Sequence, residues 1–468
     1  MKIFDTLSVA EKELDTSSKV RIYLCGVTVY DDSHIGHART IIVFDTLRRF
    51  LESQGVKVEF IQNFTDVDDK IINRARAENV SADKISSKYI TNYFEEFDNL
   101  NVIHADRYPK ATEHIEDMIA LIKALIEKNF AYVSTNGVYF SVSKFQEYGK
   151  LSKKKIDELV SGSRVEIDET KNNPLDFALW KFANDEPRWN SPWGFGRPGW
   201  HIECSAMSLK YLGPDFEIHG GGRDLIFPHH ENEIAQSESY SGKNFAKIWM
   251  HVGMVTINGE KMSKSLGNTK SVDFVLKKWG SNIIRLFCLS GHYSKPIDYS
   301  EDLLREAITK WRQVENCYYE LILSDDGSAA SDDVKLIEET VKETKKEFTE
   351  ALRSDFNTSL ASSAFFKLVK VVNQIASSER MVSSISSTVL PVFDQMLDIL
   401  GLKISQVSPE EKMKINELIN QRNLLRSQKN FQGADTIRKE ISDLGITLID
   451  HKKKTLWMKQ ERIGAESS

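Results

Sequence analysis

Apolar residues run almost unbroken through positions 20–25 (VRIYLC), a length that suits one buried strand. Over residues 38–54 the apolar positions Ile41, Ile42, Phe44, Leu47, Phe50 and Leu51 recur with roughly helical spacing, and Gly55 stands where a glycine closes a helix. Residues 57–62 (KVEFIQ) then read as a second strand. Strand, helix and strand in this order predict a βαβ unit and a parallel sheet. Another amphipathic helix is expected over residues 111–128. Residues 129–200 are less periodic and rich in turn formers, as in an inserted module, and strand-like and helical stretches alternate again to about residue 257. After Pro296 the pattern becomes long and helical, broken by two Ser/Asp-rich segments, 324–333 and 377–388, that are expected to be loops. The last block, 409–457, shows one clear helix and a short strand-like stretch at 445–449. The expected division is an α/β body over residues 1–300, a helical bundle over 301–408 and a small unit over 409–468.

Composition changes this picture little: 41% apolar and 28% charged residues are ordinary for a soluble globular chain. No apolar run approaches a membrane span, and the first residues lack the basic and apolar segments of a secretory signal, so a cytoplasmic location is expected. Cys25, Cys204, Cys288 and Cys317 are too few for a disulfide scaffold. Each is then a buried small hydrophobe, a metal ligand or a nucleophile. A net charge of -6 argues against nucleic-acid binding, but its distribution reopens the question. Residues 411–468 carry 12 Lys and Arg against 8 Asp and Glu, while the preceding chain carries 50 against 60. A basic tail on an acidic body fits a contact with phosphate, and it also fits a solvated charged surface.

Candidate chemistry begins just after the first strand, at residues 26–37 (GVTVYDDSHIGH). A helix start offers unpaired N–H groups and partial positive charge to phosphate. Gly36 allows close approach, and His34 and His37, three apart, are placed to donate hydrogen bonds to phosphate oxygens. Two surface histidines near a cap are the plainer alternative. The second element is residues 260–268 (EKMSKSLGN), where Lys261 and Lys264 sit among small residues including Ser263. Lysine binds phosphate as a mobile point charge. Alone, this segment reads equally as a solvated loop. Together and in this order, the two segments resemble the HIGH and KMSKS signatures of class I aminoacyl-tRNA synthetases. The resemblance implies a Rossmann-like catalytic domain with a connective insertion at about 111–200 and a KMSKS region at about 251–300. It also implies that ATP, with Mg2+, is bound by His34, Gly36, His37, Lys261, Ser263 and Lys264. His34, His37, Lys261 and Lys264 would be the catalytic groups, stabilising charge on the α-phosphate and the departing pyrophosphate.

Two further segments bear on the amino acid: residues 196–207 (GRPGWHIECSAM) and 220–233 (GGGRDLIFPHHENE). Pro228 suits a first helical turn, which puts His229 and Glu233 four apart on one face. With Cys25 and Cys204 they make a donor set of two sulfurs, one nitrogen and one oxygen, which favours zinc. The spacing does not bring the four together, and buried structural cysteines remain the open alternative. Both segments, with residues 25–28 (CGVT), are similar to cysteinyl-tRNA synthetases. That resemblance implies one Zn2+ on Cys25, Cys204, His229 and Glu233 that accepts the substrate thiolate and rejects serine, a distinction an ordinary pocket makes poorly. Metal selection would make editing unnecessary, and the chain shows no room for an editing domain. Thr28, Trp200 and His219 would be residues of the cysteine pocket.

Asp355-Phe356-Asn357-Thr358 resembles the family's helical bundle. Residues Gln421, Arg422, Asn423, Arg426, Phe431, Ala434, Asp435, Arg438 and Trp457 resemble its anticodon-binding unit, where arginine and aromatic side chains suit unstacked bases. Where the family has a glycine-containing turn before the tryptophan, this chain has residues 451–455 (HKKKT). The function implied is a cysteine–tRNA ligase: L-cysteine is activated with ATP to an adenylate and passed to the terminal adenosine of tRNA(Cys), by a monomer without membrane contact. A cysteine-activating ligase with a non-tRNA acceptor, a non-catalytic RNA-binding paralogue and a structural zinc protein are the alternatives.

Overall fold

The computed structural model describes residues 1–154, 170–262, 267–450, 455–459 and 463–464. Two compact units divide the chain. The first comprises Met1–Asp273, His292–Asp298 and Arg353–Phe356, and the second Phe274–Gly291, Tyr299–Leu352 and Asn357–Ser468.

The first unit is built on a four-stranded parallel sheet in the order Ala246–Val252, Phe216–Gly222, Val20–Thr28, Val58–Thr65. The strand expected at 20–25 extends to Thr28, and its interior is buried on both faces, as a parallel strand covered by helices should be. The helix after it runs Ile35–Ser53 and stops where Gly55, at φ +78, donates to the Glu52 carbonyl. Several of its charged positions do not face water. Arg39, Asp45, Arg48 and Arg49 are all buried. Arg49 pairs with Asp45 at 3.0 Å, and Arg48 and Arg49 donate to the carbonyls of His104 and Asn101. The strand order turns at Val20–Thr28, which lies between the next strand in sequence and one almost two hundred residues later. In such sheets ligands bind at this switch point, beyond the carboxyl ends of the strands.

Between the second and third parallel strands lies a four-stranded antiparallel sheet: Ala131–Val133, Gly137–Phe140, Phe177–Phe182 and Gly196–Pro198. Its core joins Phe140, Leu179 and Trp180 to Met118, Ile122 and Leu125 of the helix Ile115–Glu127. A small sheet follows, in which Val255–Ile257 pairs antiparallel with Glu260–Lys261 and parallel with Ile297–Asp298.

The second unit is helical, as the pattern beyond Pro296 predicts. Ser281–Leu289, Glu301–Ile322, Ser331–Arg353, Thr358–Ser377 and Ser383–Leu400 carry its bundle. The loop expected over 377–388 is only partly one, because Ser383 opens a helix. Ile385, Val389 and Phe393 bury their side chains and Ser386 Oγ donates to the Leu321 carbonyl at 2.7 Å, so packing overrides the local preference of serine for turns. The 324–333 loop is likewise trimmed by a helix that begins at Ser331. The last block holds two helices rather than one, Pro409–Ser427 and Phe431–Asp443, then a hairpin of Ile446–Asp450 and Thr455–Lys459. The second helix buries only Ala434 and Ile441, too few apolar positions to show a period. No helix among the described residues is long and apolar enough to cross a membrane.

Candidate active site and metal centre

A cavity of about 310 Å³ opens at the switch point, lined by Cys25, Thr28, His34, His37, Trp200 and Met262 among others. His34 is the N-cap of the helix Ile35–Ser53 rather than a member of its first turn. Its Nδ1 accepts from the N–H groups of Gly36 (3.1 Å) and His37 (3.3 Å), and the His37 Nδ1 accepts in return from the His34 N–H at 3.4 Å. A neutral imidazole that accepts through Nδ1 carries its proton on Nε2. The cap therefore fixes both histidines as Nε2–H donors, with their rings stacked 3.7 Å apart. Ile35 N–H is also occupied, by the Lys270 carbonyl at 3.0 Å. The expected free amides at this helix start are thus capped, and histidine side chains take their place along the cavity. A Cβ on Gly36 would lie 3.0 Å from the His34 ring and 3.4 Å from Met262 Cε, which explains the glycine. The Lys261 backbone lies in the small sheet. The Lys261 side chain, Ser263 and Lys264 lie outside the described residues.

The four metal-ligand candidates come from three segments and meet. Donor atoms of Cys25, Cys204, His229 and Glu233 all lie within 4.8 Å of one another, and all four residues are buried. Cys25 comes from the first strand, and Cys204 from the helix Trp200–Leu212. His229 precedes the helix Glu231–Ser241 that carries Glu233. Phe227 is extended (φ -139, ψ 132), and helical backbone from Pro228 onward runs into that helix, which puts His229 and Glu233 one turn apart. The sulfurs are 3.7 Å apart, Cys25 Sγ is 3.3 Å from Glu233 Oε1, and His229 Nε2 is 3.0 Å from the same oxygen. A tetrahedral zinc with bonds of about 2.3 Å to sulfur sets two sulfurs ~3.8 Å apart, so the spacing fits.

Electrostatics point the same way. The Cys25 hydrogen bond to Cys204 leads in drawing the Cys204 thiol down to about 6, whereas burial pushes Cys25 well up. Burial disfavours charge on His229, but the Glu233 carboxylate and Cys204 outweigh it and raise the imidazole to about 10. Glu233 is held well below the usual carboxylate range by His219 and His229, against its burial. Cys204 and Glu233 thus favour their anionic forms, whereas Cys25 and His229 would have to give up protons for a metal to bind.

A second set, Cys25, His219, His230 and Glu233, shares two of these residues and has one sulfur. His219 does not line the cavity. It is fully buried, stacked on Trp249 at 4.3 Å, with Nε2 2.9 Å from Glu233 Oε2. Thr28 and Trp200 do line the cavity, and the Trp200 ring stacks on His229 at 4.2 Å. Sequence reasoning passed over the supporting shell. His201 Nδ1 is 2.9 Å from His229 Nδ1, and His230 bridges Cys25 Sγ (3.3 Å) and His251 (2.8 Å). Asn63 Oδ1 takes the Gly26 N–H at 2.9 Å and lies 3.7 Å from Cys204 Sγ. The paired histidines at 229–230 were the visible signal. Asn63 gave none.

In the second unit, Arg422 is buried and paired with Asp450 at 2.7 Å, holding the hairpin to its helix. Trp457 is buried as well, with Nε1 3.1 Å from Asn416 Oδ1. Phe431 is 62% exposed, so it remains available to a partner where Arg422 and Trp457 do not. The turn at 451–454 lies outside the described residues.

Two family descriptions match: "tRNA synthetases class I (C) catalytic domain" over residues 11–309 and "DALR domain" over residues 347–405. A cysteine–tRNA ligase of Thermodesulfovibrio yellowstonii is 47% identical over 489 residues, covering 98% of this chain and 99% of its own. One of Caldicellulosiruptor saccharolyticus is 47% identical over 472 residues, covering 99% and 100%. Among solved structures, Mycobacterium tuberculosis methionyl-tRNA synthetase in complex with methionyl-adenylate aligns with a TM-score of 0.60 at 16% identity, covering 82% of this chain and 89% of its own. At that identity the likeness is one of fold.

Proposed function

The chain belongs to the cysteinyl-tRNA synthetases, and from that premise we propose a residue-level account of how it joins cysteine to tRNA. It is a cysteine–tRNA ligase of class I, with ATP, the amino acid and tRNA as its partners. ATP, with its Mg2+, occupies the cavity so that its phosphates meet the Nε2–H groups of His34 and His37. The carboxylate of cysteine attacks the α-phosphorus and pyrophosphate leaves. Donors already fixed by the helix cap stabilise the charge that develops on phosphorus, with no reorganisation at the moment of reaction. Lys261 and Lys264 neutralise the departing pyrophosphate. Transfer to the terminal adenosine of tRNA(Cys) follows.

Cys25, Cys204, His229 and Glu233 would hold the metal, and zinc there would supply Lewis acidity that favours a thiolate over the hydroxyl of serine. Trp200 packs on His229 and, with Thr28, bounds the cysteine. His219 acts on the amino-acid pocket from behind, by orienting Glu233. Residues 1–300 serve as the catalytic domain, 301–408 as the bundle and 409–468 as the anticodon-binding unit, in a cytoplasmic monomer. Deleting residues from Pro409 onward should spare cysteine-dependent ATP–pyrophosphate exchange and cripple tRNA charging, and unimpaired charging would remove the anticodon role.

The observation that carries this reading is the convergence of two thiols, an imidazole and a carboxylate within 4.8 Å at a cavity that the two capping histidines also line. The test is charging of unfractionated tRNA with labelled cysteine beside labelled serine. Cysteine-only charging is expected, and comparable serine charging would overturn the metal-selection account.

A further inference from the structure

Two residues beyond His37, the side chain of Arg39 is wholly buried. Its Nη1 donates to the carbonyls of Gly253 (2.7 Å) and Met254 (3.1 Å), and its Nη2 to those of His292 (3.2 Å) and Lys295 (2.7 Å). A fork of fixed geometry that spans two backbone segments fixes their separation, which a flexible ammonium would not do.

Those segments are the two roots of the small sheet that carries Lys261. Gly253 and Met254 run directly into Val255–Ile257, which turns back into Glu260–Lys261. Lys295 stands just before Ile297–Asp298, which pairs in parallel with the same strand. The roots are in backbone contact: Gly253 N–H donates to the Tyr293 carbonyl at 2.8 Å, and a Cβ on Gly253 would lie 2.2 Å from the Lys295 oxygen. On its far side the sheet has a second tie, because Asp298 Oδ1 accepts from Thr256 Oγ1 (2.6 Å) and from Gly259 N–H (2.8 Å) in the hairpin turn. The chain that leaves the lysine segment returns to the same helix start: Ile35 N–H donates to the Lys270 carbonyl at 3.0 Å, and Val272 N–H to the Ser33 carbonyl at 2.8 Å. Entry to and exit from the lysine segment are both moored on the helix that bears the capping histidines.

We propose that Arg39 is a positioning residue for adenylate formation, setting the lysine hairpin in register with His34 and His37, with Asp298 as the second tie of the same hairpin. This rests on the reading of residues 261–264 as the pyrophosphate-binding segment. A cation displaced by about 1 Å from its phosphate costs on the order of 10²-fold in rate. The metal cluster and the cysteine pocket share none of the bonds just named, so the effect falls on the ATP half of the reaction.

The experiment is cysteine-dependent ATP–pyrophosphate exchange on the full-length enzyme, with zinc content and melting temperature measured on each preparation. Arg39→Lys keeps the charge and loses the fork. The expected result is a kcat about 10²-fold down, with the KM for cysteine and the zinc content unchanged. Asp298→Ala, at the edge of the sheet, keeps the protein folded should Arg39→Lys not, and is expected to lower kcat about tenfold with the same split. Exchange at the wild-type rate in both variants overturns the inference, as does a fall in kcat that comes only with lost zinc or a raised KM for cysteine. Absence of exchange in the unaltered enzyme would instead remove the reading of the lysine segment itself.

Discussion

At the sulfur end of the cavity, four buried side chains from three separate segments stand within bonding reach of one another before any ligand arrives. At the phosphate end, one short stretch of chain does the work. His34 and His37 cap their own helix, and the lysine hairpin is brought alongside by backbone bonds at its two ends. The sulfur end is rigid because it is core: Cys204, His229 and Glu233 are each at most 2% exposed. The phosphate end is ordered locally, and the hairpin beside it is held by backbone bonds at its two ends. A small, neutral distinction such as sulfur against oxygen needs fixed donors. A triphosphate that must react and leave as pyrophosphate needs positive charge where negative charge develops.

Removing Cys204 breaks the sulfur end and should have the largest effect. Cys204→Ser is expected to lose bound zinc and to lower cysteine-dependent exchange by about 10³-fold, since the metal is worth several kcal/mol. ATP binding, followed by calorimetry, should persist. Zinc retained at full stoichiometry with normal exchange would show that the two ends do not divide the work in this way.

The phosphate end allows a cleaner dissection, because His34 caps its helix and is also proposed to donate to phosphate. Asparagine is among the best N-caps. His34→Asn should therefore keep the melting temperature and the zinc while kcat falls by about 10²-fold, the cost of one preorganised donor. His34→Ala should show the same kinetic loss plus about 1 kcal/mol of lost stability. An Asn variant with wild-type kcat would reduce His34 to a cap.

The smallest effect tests the support beneath that turn. Glu96 is buried, and burial, aided by Asp32, raises its carboxyl to about 7 in spite of hydrogen bonds from Ser33 and the Asp273 backbone. A raised acid contributes stability that is fully present below its unfolded value of 4.5 and is lost as pH rises through 7. From pH 5 to pH 8 the melting temperature should therefore fall by about 3 °C relative to Glu96→Gln, which cannot ionise. Parallel melting curves would show that Glu96 titrates as it does in water.

What the sequence displayed follows from how each feature is encoded. The βαβ unit at 20–62 was legible because strand and helix periods are local, and so was Gly55, since a helix stop has its own residue. The cap on His34 was hidden in a motif usually read for its catalysis. Burial of Arg39, Asp45, Arg48 and Arg49 was not legible, because a polar helix face looks alike whether water or a carbonyl-lined segment covers it. The metal quartet spans residues 25 to 233, and its convergence follows from the parallel sheet and two helices, which no spacing announces. Resemblance supplies what spacing alone does not. His219 was expected in the cysteine pocket, and it stands outside the cavity lining, 2.9 Å from Glu233 Oε2. A histidine in the middle of a buried strand carries no mark of which side it faces.

X-ray absorption at the zinc edge tests the central claim most directly, because it counts sulfur neighbours. The purified enzyme should show two, from Cys25 and Cys204, and three once L-cysteine is added, with no change on adding L-serine. A single sulfur, as the set of Cys25, His219, His230 and Glu233 would give, or a count that cysteine leaves unaltered, would contradict it.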